Sequence, residues 1–387
     1  MSGEHAATFV PKKNSMLRIS YALVCFCWFL WCGCLGAQST PYLIFVATDG
    51  LRVQEVFSGS DKRLMEEDPT FSAEDLDRYD HSSPEGRRQK LMPFLWGHFG
   101  AQGQIFGNRE YGNRLEVTNS SCISYPGYSE MLTGFTDDRQ LFLNTEKRNP
   151  HSNVLEYLSQ KKKVAAFCSW ELFPYILNEE RAGFEVNAGF ELVEREGFGP
   201  VNRLLAGCER PWKERVRPDT LTWAFAKKCL ESERPEVLFI SFGETDEYAH
   251  EGKYLRYLDA AHRFDSLVQE LWKFIQSDPH YRDQTTLVVT TDHGRSERHW
   301  RQHLRLLKGS DAIWLGVLGP HLKPLGEVKQ HMRLQQAQIA QTVASLVGEE
   351  FRCEHAVAGR IEAVFGTKDS WLASQKGVFS RFQTSLR

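Results

Sequence analysis

Tyr42-Leu-Ile-Phe-Val-Ala-Thr48, closed by Asp49-Gly50, is an apolar run that ends on a carboxylate and a turn residue. The same texture recurs in Lys163-Val-Ala-Ala-Phe-Cys168, Glu236-Val-Leu-Phe-Ile-Ser-Phe242, Thr285-Thr-Leu-Val-Val-Thr-Thr291 and Ala312-Ile-Trp-Leu-Gly-Val-Leu318. Each run is short and rich in β-branched or aromatic residues. None alternates apolar with polar, so each reads as a parallel strand buried on both faces. Helical patterns separate them, over 91–98, 153–160, 219–232, 254–276 and 334–347. In the longest, Leu255, Leu258, Ala261, Phe264, Leu267, Leu271 and Phe274 recur three or four apart and make one apolar stripe. Strands alternating with helices predict an α/β fold, a doubly wound and mostly parallel sheet with helices on both faces.

Two stretches interrupt this rhythm. Residues 57–89 are polar and predict a surface insertion. Residues 177–217 are charged and contain an echo, Ala182-Gly-Phe-Glu and Ala188-Gly-Phe-Glu, too short for a solenoid repeat. A small hairpin or cap-like insertion over the sheet edge is expected there. The domain reading is a single catalytic domain over 41–350 and a C-terminal extension over 351–387.

The chain has 387 residues, 41% hydrophobic and 25% charged, with a net charge of −3. That composition excludes disorder for most of its length. It also offers no basic excess for a nucleic-acid backbone, so no stable nucleic-acid partner is expected. Residues 1–37 differ from the rest. Lys12, Lys13 and Arg18 precede an uncharged run from Ile19 to Ala37 that ends among small residues. This predicts a signal peptide starting at Met16, or a signal anchor if it is not cleaved. The chain is therefore expected to be exported, periplasmic or secreted, with the N-terminal segment as its only membrane contact. Beyond that segment lie Cys122, Cys168, Cys208, Cys229 and Cys353, without a CxxC pair, so a thiolate zinc site is excluded.

In an open α/β sheet, reactive groups collect at the carboxyl ends of the strands. Asp49 follows the first run. Asp246 and His250 follow the third, one helical turn apart. Asp292 and His293 follow the fourth, and His303 comes ten residues later. An aspartate at a strand end is usually a cap, and a lone histidine is usually unremarkable. Three aspartates and three histidines at three strand exits have no such ordinary explanation. Carboxylates gathered out of water repel unless a cation lies between them. Mixed Asp and His donors suit zinc, with manganese second. Ser124, in Ser124-Tyr-Pro126-Gly-Tyr-Ser-Glu-Met-Leu-Thr-Gly134, is placed at a helix N-terminus by Pro126 and Gly134, where the dipole favours an alkoxide and an anionic substrate. Its competing role is that of a plain N-cap.

Val46-Ala-Thr-Asp49-Gly-Leu-Arg, the Ser124 segment, Asp246-x-x-x-His250, Thr291-Asp292-His293-Gly294-Arg and the later His303 resemble, in order and spacing, the alkaline phosphatase superfamily of metal-dependent phosphate-ester hydrolases. The resemblance is closest to bacterial members near the nucleotide pyrophosphatase/phosphodiesterase branch and runs from Tyr42 to about Gly348. It implies two divalent metal ions. One would be held by Asp49, Asp292, His293 and the Ser124 hydroxyl, the other by Asp246, His250 and His303. It further implies Ser124 as a nucleophile that passes through a phosphoseryl intermediate. Asn144, with Asn149 as a rival, would donate an amide to a phosphoryl oxygen. Arg295 and Arg139 are the candidates for gripping a small phosphorylated substrate. Two departures are visible. Tyr128 stands where sulfatases of the superfamily carry the arginine of a Cys/Ser-x-Pro-x-Arg motif, and Leu304 follows His303 where relatives have glycine. A phosphonate hydrolase and a mutase-like phosphoryl transferase are alternatives on the same core. A non-catalytic exported binding protein is the alternative of another class. Oligomeric state is not legible in the chain.

Overall fold

The computed structural model describes Gly3 and residues 40–366. The predicted leader over 1–37, apart from Gly3, and the extension beyond 366 lie outside the described residues. Eleven strands are formed among the described residues: β1 Tyr42–Thr48, β2 Gln104–Phe106, β3 Asn113–Glu116, β4 Val164–Cys168, β5 Glu185–Ala188, β6 Val237–Phe242, β7 Thr285–Thr291, β8 Ala312–Ile313, β9 Leu315–Leu318, β10 Gly326–Glu327 and β11 Met332–Gln335. The main sheet has the order β10-β2-β9-β7-β1-β6-β4-β5, and β11-β3-β8 make a small second sheet. β1 lies between β6 and β7 and pairs in parallel with both, Thr48 standing opposite Phe242 and Thr291. The three strand exits that carry Asp49, Asp246 and Asp292 are therefore neighbours by hydrogen-bond register.

The unbroken apolar runs follow from burial on both faces. Ile44 and Val46 of β1 enter one core with Leu238, Ile240, Leu287 and Val289. Leu43, Phe45 and Ala47 enter the other with Val237, Phe239 and Val288. The first core is covered by helices Asp219–Ser232 and Tyr254–Ser277, the second by helices Ser124–Thr133, Val154–Ser159 and Gln338–Leu346. Each fully buried Val, Leu, Ile or Phe contributes roughly 1.5–3 kcal/mol over its exposed state. Among the described residues no helix is long and apolar enough to cross a membrane.

The structure corrects the reading at several elements. The run 312–318 is not one parallel strand. It divides at Trp314, which is fully buried, and β8 joins the small sheet while β9 lies antiparallel to β7 in the main one. Leu334 belongs to β11, so the expected helix over 334–347 is confined to Gln338–Leu346. The 91–98 pattern falls across the end of helix Pro84–Leu91 and a π-helical turn, Leu95–Phe99. The insertion at 57–89 contains helices Lys62–Glu67, Ala73–Tyr79 and Pro84–Leu91. In 177–217 the echo does not make a hairpin: Glu185–Ala188 is itself the edge strand β5, parallel to β4.

Two buried charges fasten the site-bearing turn after β1 to the long helix. Arg52 and Glu55 are 1% and 0% exposed and form an ion pair. The Tyr254 hydroxyl donates to Glu55 Oε1 at 2.9 Å, and the Arg52 N–H donates to the Tyr257 hydroxyl at 3.0 Å. Burial disfavours the Arg52 charge, but Glu55 beside it more than compensates. Removing one member of such a pair leaves an uncompensated buried charge. Glu55→Ala is therefore expected to cost about 3–5 kcal/mol in urea unfolding, against well under 1 kcal/mol if the pair were solvated.

Asp265 accepts the N–H groups of Phe94 and Leu95 at 2.7 and 2.8 Å. Burial pushes its carboxyl up to about 7. The folded chain thus holds a proton that the unfolded chain releases near pH ~3.9, and stability contributed here falls as pH rises from that value to about 7. Asp265→Asn is expected to flatten the stability profile over this window. An unchanged slope in denaturant titrations at several pH values would contradict it.

Candidate metal centre and nucleophile

Asp49 leaves β1 and is held from below by Thr245, whose hydroxyl donates to the Asp49 carbonyl and lies 3.0 Å from Thr48 Oγ1. Thr245 is the second residue of the helix Glu244–Glu251, which carries Asp246 in its first turn and His250 one turn on, facing the same side as the i, i+4 spacing predicts. The start of that helix is secured by Asp219, whose carboxylate accepts the N–H groups of Gly243 and Glu244 at 2.8 and 3.2 Å. Asp292 and His293 leave β7, and Asp292 Oδ1 accepts the Gly50 N–H at 3.0 Å. His303 arrives on a loop, its Nδ1 lying 2.9 Å from the Cys122 carbonyl oxygen. Cys122 has φ 54°, a left-handed conformation costing on the order of 1–3 kcal/mol in a non-glycine residue.

Ser124 is the first residue of helix Ser124–Thr133, and Ile123 is the N-cap. The serine side chain makes no capping bond, so the plain N-cap role does not apply. Gly134 ends the helix at φ 76°, as expected. Ser124 Oγ lies 3.3 Å from His293 Nε2 and 3.4 Å from Asp49 Oδ1.

The predicted ligands converge in two groups. Asp49, Asp292 and His293 form one buried set, with His293 Nε2 3.3 Å from Asp49 Oδ1 and 3.5 Å from Asp292 Oδ2. In the other, His250 Nε2 is 3.1 Å from Asp246 Oδ2 and 3.0 Å from His303 Nε2, and His303 Nε2 is 3.7 Å from Asp246 Oδ1. The His293 and His303 rings stack at 3.8 Å between the groups. His250 is the most exposed member, at 41% of its side chain.

The charge balance fits divalent cations. Burial and the neighbouring Asp246 push the Asp49 carboxyl well above its usual range, and burial and Asp49 do the same to Asp292. Asp292 Oδ2 is buried without a hydrogen-bond partner. Burial and His293 hold His303 well below the ordinary imidazole range, so the ring is neutral. With Nδ1–H donating to the Cys122 carbonyl, His303 turns a lone pair at Nε2 toward His250. Lone pairs and carboxylates facing one another are a donor set that a cation completes. A third group among the described residues, His151, Glu354 and His355, is satisfied locally: His151 pairs with Asp137 at 2.8 Å and His355 Nε2 with the Thr133 carbonyl at 2.9 Å.

Asn144 accepts the Tyr125 N–H on Oδ1 at 2.9 Å, which caps the Ser124 helix from outside. It joins Asp49, Ser124, Asp246 and His250 in the wall of a cavity of ≈160 Å³. Its rival Asn149 is buried away from that wall, bonded to Ser129 Oγ and the His151 N–H. The two predicted substrate arginines are not where that role needs them. Arg295 is 0% exposed, paired with Asp246 and bonded to the carbonyls of Trp300 and Arg301, so it braces the Asp246 carboxylate and does not line the cavity. Burial disfavours charge on Asp246, but Arg295 beside it wins and holds the carboxyl well below the usual range. Arg139 is exposed and does not line the cavity. Trp170, Arg215 and Glu247 do line it and were missed. Trp170 follows β4 by two residues, so the strand-end rule applied to β4 would have found it. Arg215 lies 22 residues before β6, far from any strand exit, and is placed at the wall beside the Trp170–Val216 bridge. Tyr128 is buried, accepts the Ser241 hydroxyl at 3.0 Å and packs edge-on against Phe173. Leu304 has no left-handed backbone, so glycine is not required there.

Residues 214–350 match the family model described as the Metalloenzyme superfamily, and they include Asp246, His250, Asp292, His293 and His303. The chain is similar in structure to a protein of the alkaline phosphatase superfamily from Vibrio parahaemolyticus, with 14% identity, a TM-score of 0.52, and 87% of this chain and 72% of that chain covered. The fold is that of the alkaline phosphatase superfamily. The chain is similar in the same way to the phosphonate monoester hydrolase SpPMH from Silicibacter pomeroyi, at 15% identity and TM-score 0.53, covering 84% of this chain and 75% of that one. It is also similar to the 2-O GAG sulfatase BT1596, at 12% identity and TM-score 0.51, covering 86% and 75%. No curated protein matches the sequence. The metalloenzyme match and the buried donor sets agree on divalent-metal binding. They do not single out the nucleotide pyrophosphatase/phosphodiesterase branch.

Gly50 makes this close-packed site sterically possible. It has φ +62°, and a Cβ there would lie 2.7 Å from Asp246 Oδ1, 2.8 Å from an Arg295 nitrogen and 3.2 Å from His293 Cε1. Gly50→Ala is expected to fold but to bind zinc at least about tenfold more weakly, as for a lost outer-shell support. Competition against a chromogenic chelator measures this, and an unchanged affinity would show that the cradle tolerates the methyl group.

Proposed function

We propose that the chain is an exported metal-dependent hydrolase of phosphoric esters that uses Ser124 as nucleophile and forms a phosphoseryl intermediate. The observation that carries this reading is the position of Ser124 Oγ, at a helix start, in the cavity wall, within 3.3–3.4 Å of His293 and Asp49. Asp49, Asp292, His293 and Ser124 would hold one ion, and Asp246, His250 and His303 the other, with zinc the best match to these donors. When bound, two such ions supply Lewis acidity that eases loss of the serine proton and neutralises the leaving oxygen.

The chain's own groups do the rest. Ser124 Oγ forms the bond to phosphorus as the ester oxygen departs on the opposite side, and water then cleaves the Ser124–phosphorus bond and returns the hydroxyl. The Asn144 amide has its oxygen committed to Tyr125, which leaves its N–H groups for a phosphoryl oxygen. The helix start adds its dipole to the same end. Arg295 keeps Asp246 ionised and in place. Arg295 is occupied, Arg215 is paired with Glu171, and Glu247 lines the cavity, so the wall offers little to a dianion. This favours a singly charged phosphoryl group, as in a diester or a phosphonate monoester. Sulfate esters are disfavoured because Tyr128 occupies the place of the sulfatase arginine.

The test is hydrolysis of nitrophenyl phosphate and bis-nitrophenyl phosphate by one purified batch with metal content measured. The diester is expected to be preferred. Ser124→Ala is expected to lose at least about four orders of magnitude in turnover while keeping its metals. Wild-type-like hydrolysis by that variant would remove Ser124 from the mechanism.

A further inference from the structure

Two loops beside the cavity present large apolar side chains to solvent: one supplies Asn144 to the cavity wall, and the other sets His303 3.0 Å from the wall residue His250. Phe142 and Leu143 are 49% and 57% exposed, and Leu304 and Leu306 are 51% and 97% exposed. These are four of the nine large hydrophobics exposed among the described residues. Ser121 ties the loops together: its hydroxyl donates to the Phe142 carbonyl at 2.8 Å, and its own carbonyl accepts the Arg305 N–H at 3.0 Å. Each loop also carries a site residue beside its apolar pair, Asn144 after Leu143 and His303 before Leu304. The apolar rim and the reactive groups are therefore parts of the same two segments.

The second loop is basic as well. Across 297–308 stand Arg298, Arg301, Arg305 and Lys308 against a single acid, Glu297, which is paired with Lys308 at 2.7 Å. Isolated exposed leucines are ordinary, but clustered ones at a site mouth mark a contact surface. Leucines interleaved with arginines match the chemistry of an anionic lipid surface, where apolar tips enter the acyl boundary and each cation contributes on the order of 1 kcal/mol. A soluble sugar brings neither the negative charge nor the apolar surface that this pairing needs, and a nucleotide brings no aliphatic tail for the leucines.

We propose that this rim seats on an anionic lipid surface, and that the ester hydrolysed is an amphiphile whose phosphoryl group enters the cavity while its apolar tail stays against Phe142, Leu143, Leu304 and Leu306. The substrate part of this proposal rests on the phosphoric-ester reading above. It adds a membrane contact separate from the N-terminal segment.

The full chain and its Leu143→Gln/Leu306→Gln variant are compared in two ways, both substitutions lying on exposed side chains outside the reacting groups. First, co-sedimentation is measured with vesicles of about 30% phosphatidylglycerol in phosphatidylcholine, a composition chosen for its negative surface potential. The N-terminal segment is the same in both chains, so any difference reports the rim. The variant is expected to partition about tenfold more weakly, as two leucine tips withdrawn from hydrocarbon imply. Second, kcat/KM is compared for nitrophenyl phosphodiesters bearing a methyl or a dodecyl group. The wild-type chain is expected to prefer the long-chain ester by about tenfold or more, from the added apolar contact. The variant should lose that preference and retain methyl-ester hydrolysis. Equal partition of the two chains, or the same chain-length preference in both, overturns the proposal. A partition difference with no hydrolysis of either ester supports the lipid contact and discards the phosphoric-ester reading instead.

Discussion

Three aspartates taken out of water in one cavity set the conditions that the rest of this structure satisfies. Asp49, Asp246 and Asp292 are at most 9% exposed and all three lie within 4.0 Å of one histidine nitrogen, His293 Nε2. Charges of one sign at such distances in a low-dielectric interior oppose one another strongly. The protein offsets this unevenly. Asp246 receives the Arg295 guanidinium and stays ionised, whereas Asp49 and Asp292 have no buried cation of their own and are pushed toward the protonated form. The asymmetry makes the space between Asp49 and Asp292, beneath Ser124, the place where positive charge is most needed.

The scaffold around these groups is correspondingly rigid. β1 is gripped on both sides by parallel partners, and the turn after it is locked to the long helix through Arg52, Glu55, Tyr254 and Tyr257. Gly50 admits the close approach of Asp246 and Arg295, and Asp219 restrains the helix that carries Asp246. Of the predicted metal ligands and Asn144, only His250 and Asn144 are exposed, and both stand at the cavity wall. On the proposed reading, a phosphoryl group is held deep among these fixed charges and the remainder of its ester is left at the surface.

Parallel pairing made much of the fold legible from the chain. A strand buried on both faces must be apolar at every position, so β1, β4, β6 and β7 announce themselves, and Asp219–Ser232 and Tyr254–Ser277 do so through one apolar stripe. The run 312–318 misled for the same reason: an antiparallel strand in the middle of a covered sheet is as apolar as a parallel one, and its split at Trp314 reflects two sheets meeting in space. β2, β5 and β10 are four residues or fewer and leave almost no periodic signal.

What the chain by itself determined is the inventory and its order: which strands end in Asp49, Asp246 and Asp292, that His250 shares a helical face with Asp246, and that Ser124 opens a helix. Those follow from local chemistry, the period of a helix, the register of a strand exit and the stops at Pro126 and Gly134. Which partner each group meets was decided only by tertiary structure. Arg295 and Arg139 are equally good cations on paper, yet one is folded under Asp246 and the other is left in solvent. Asn144 and Asn149 are equally good amides, and only the first reaches the start of the Ser124 helix. Contacts between residues far apart in sequence depend on how whole elements pack, and no local pattern encodes that distance.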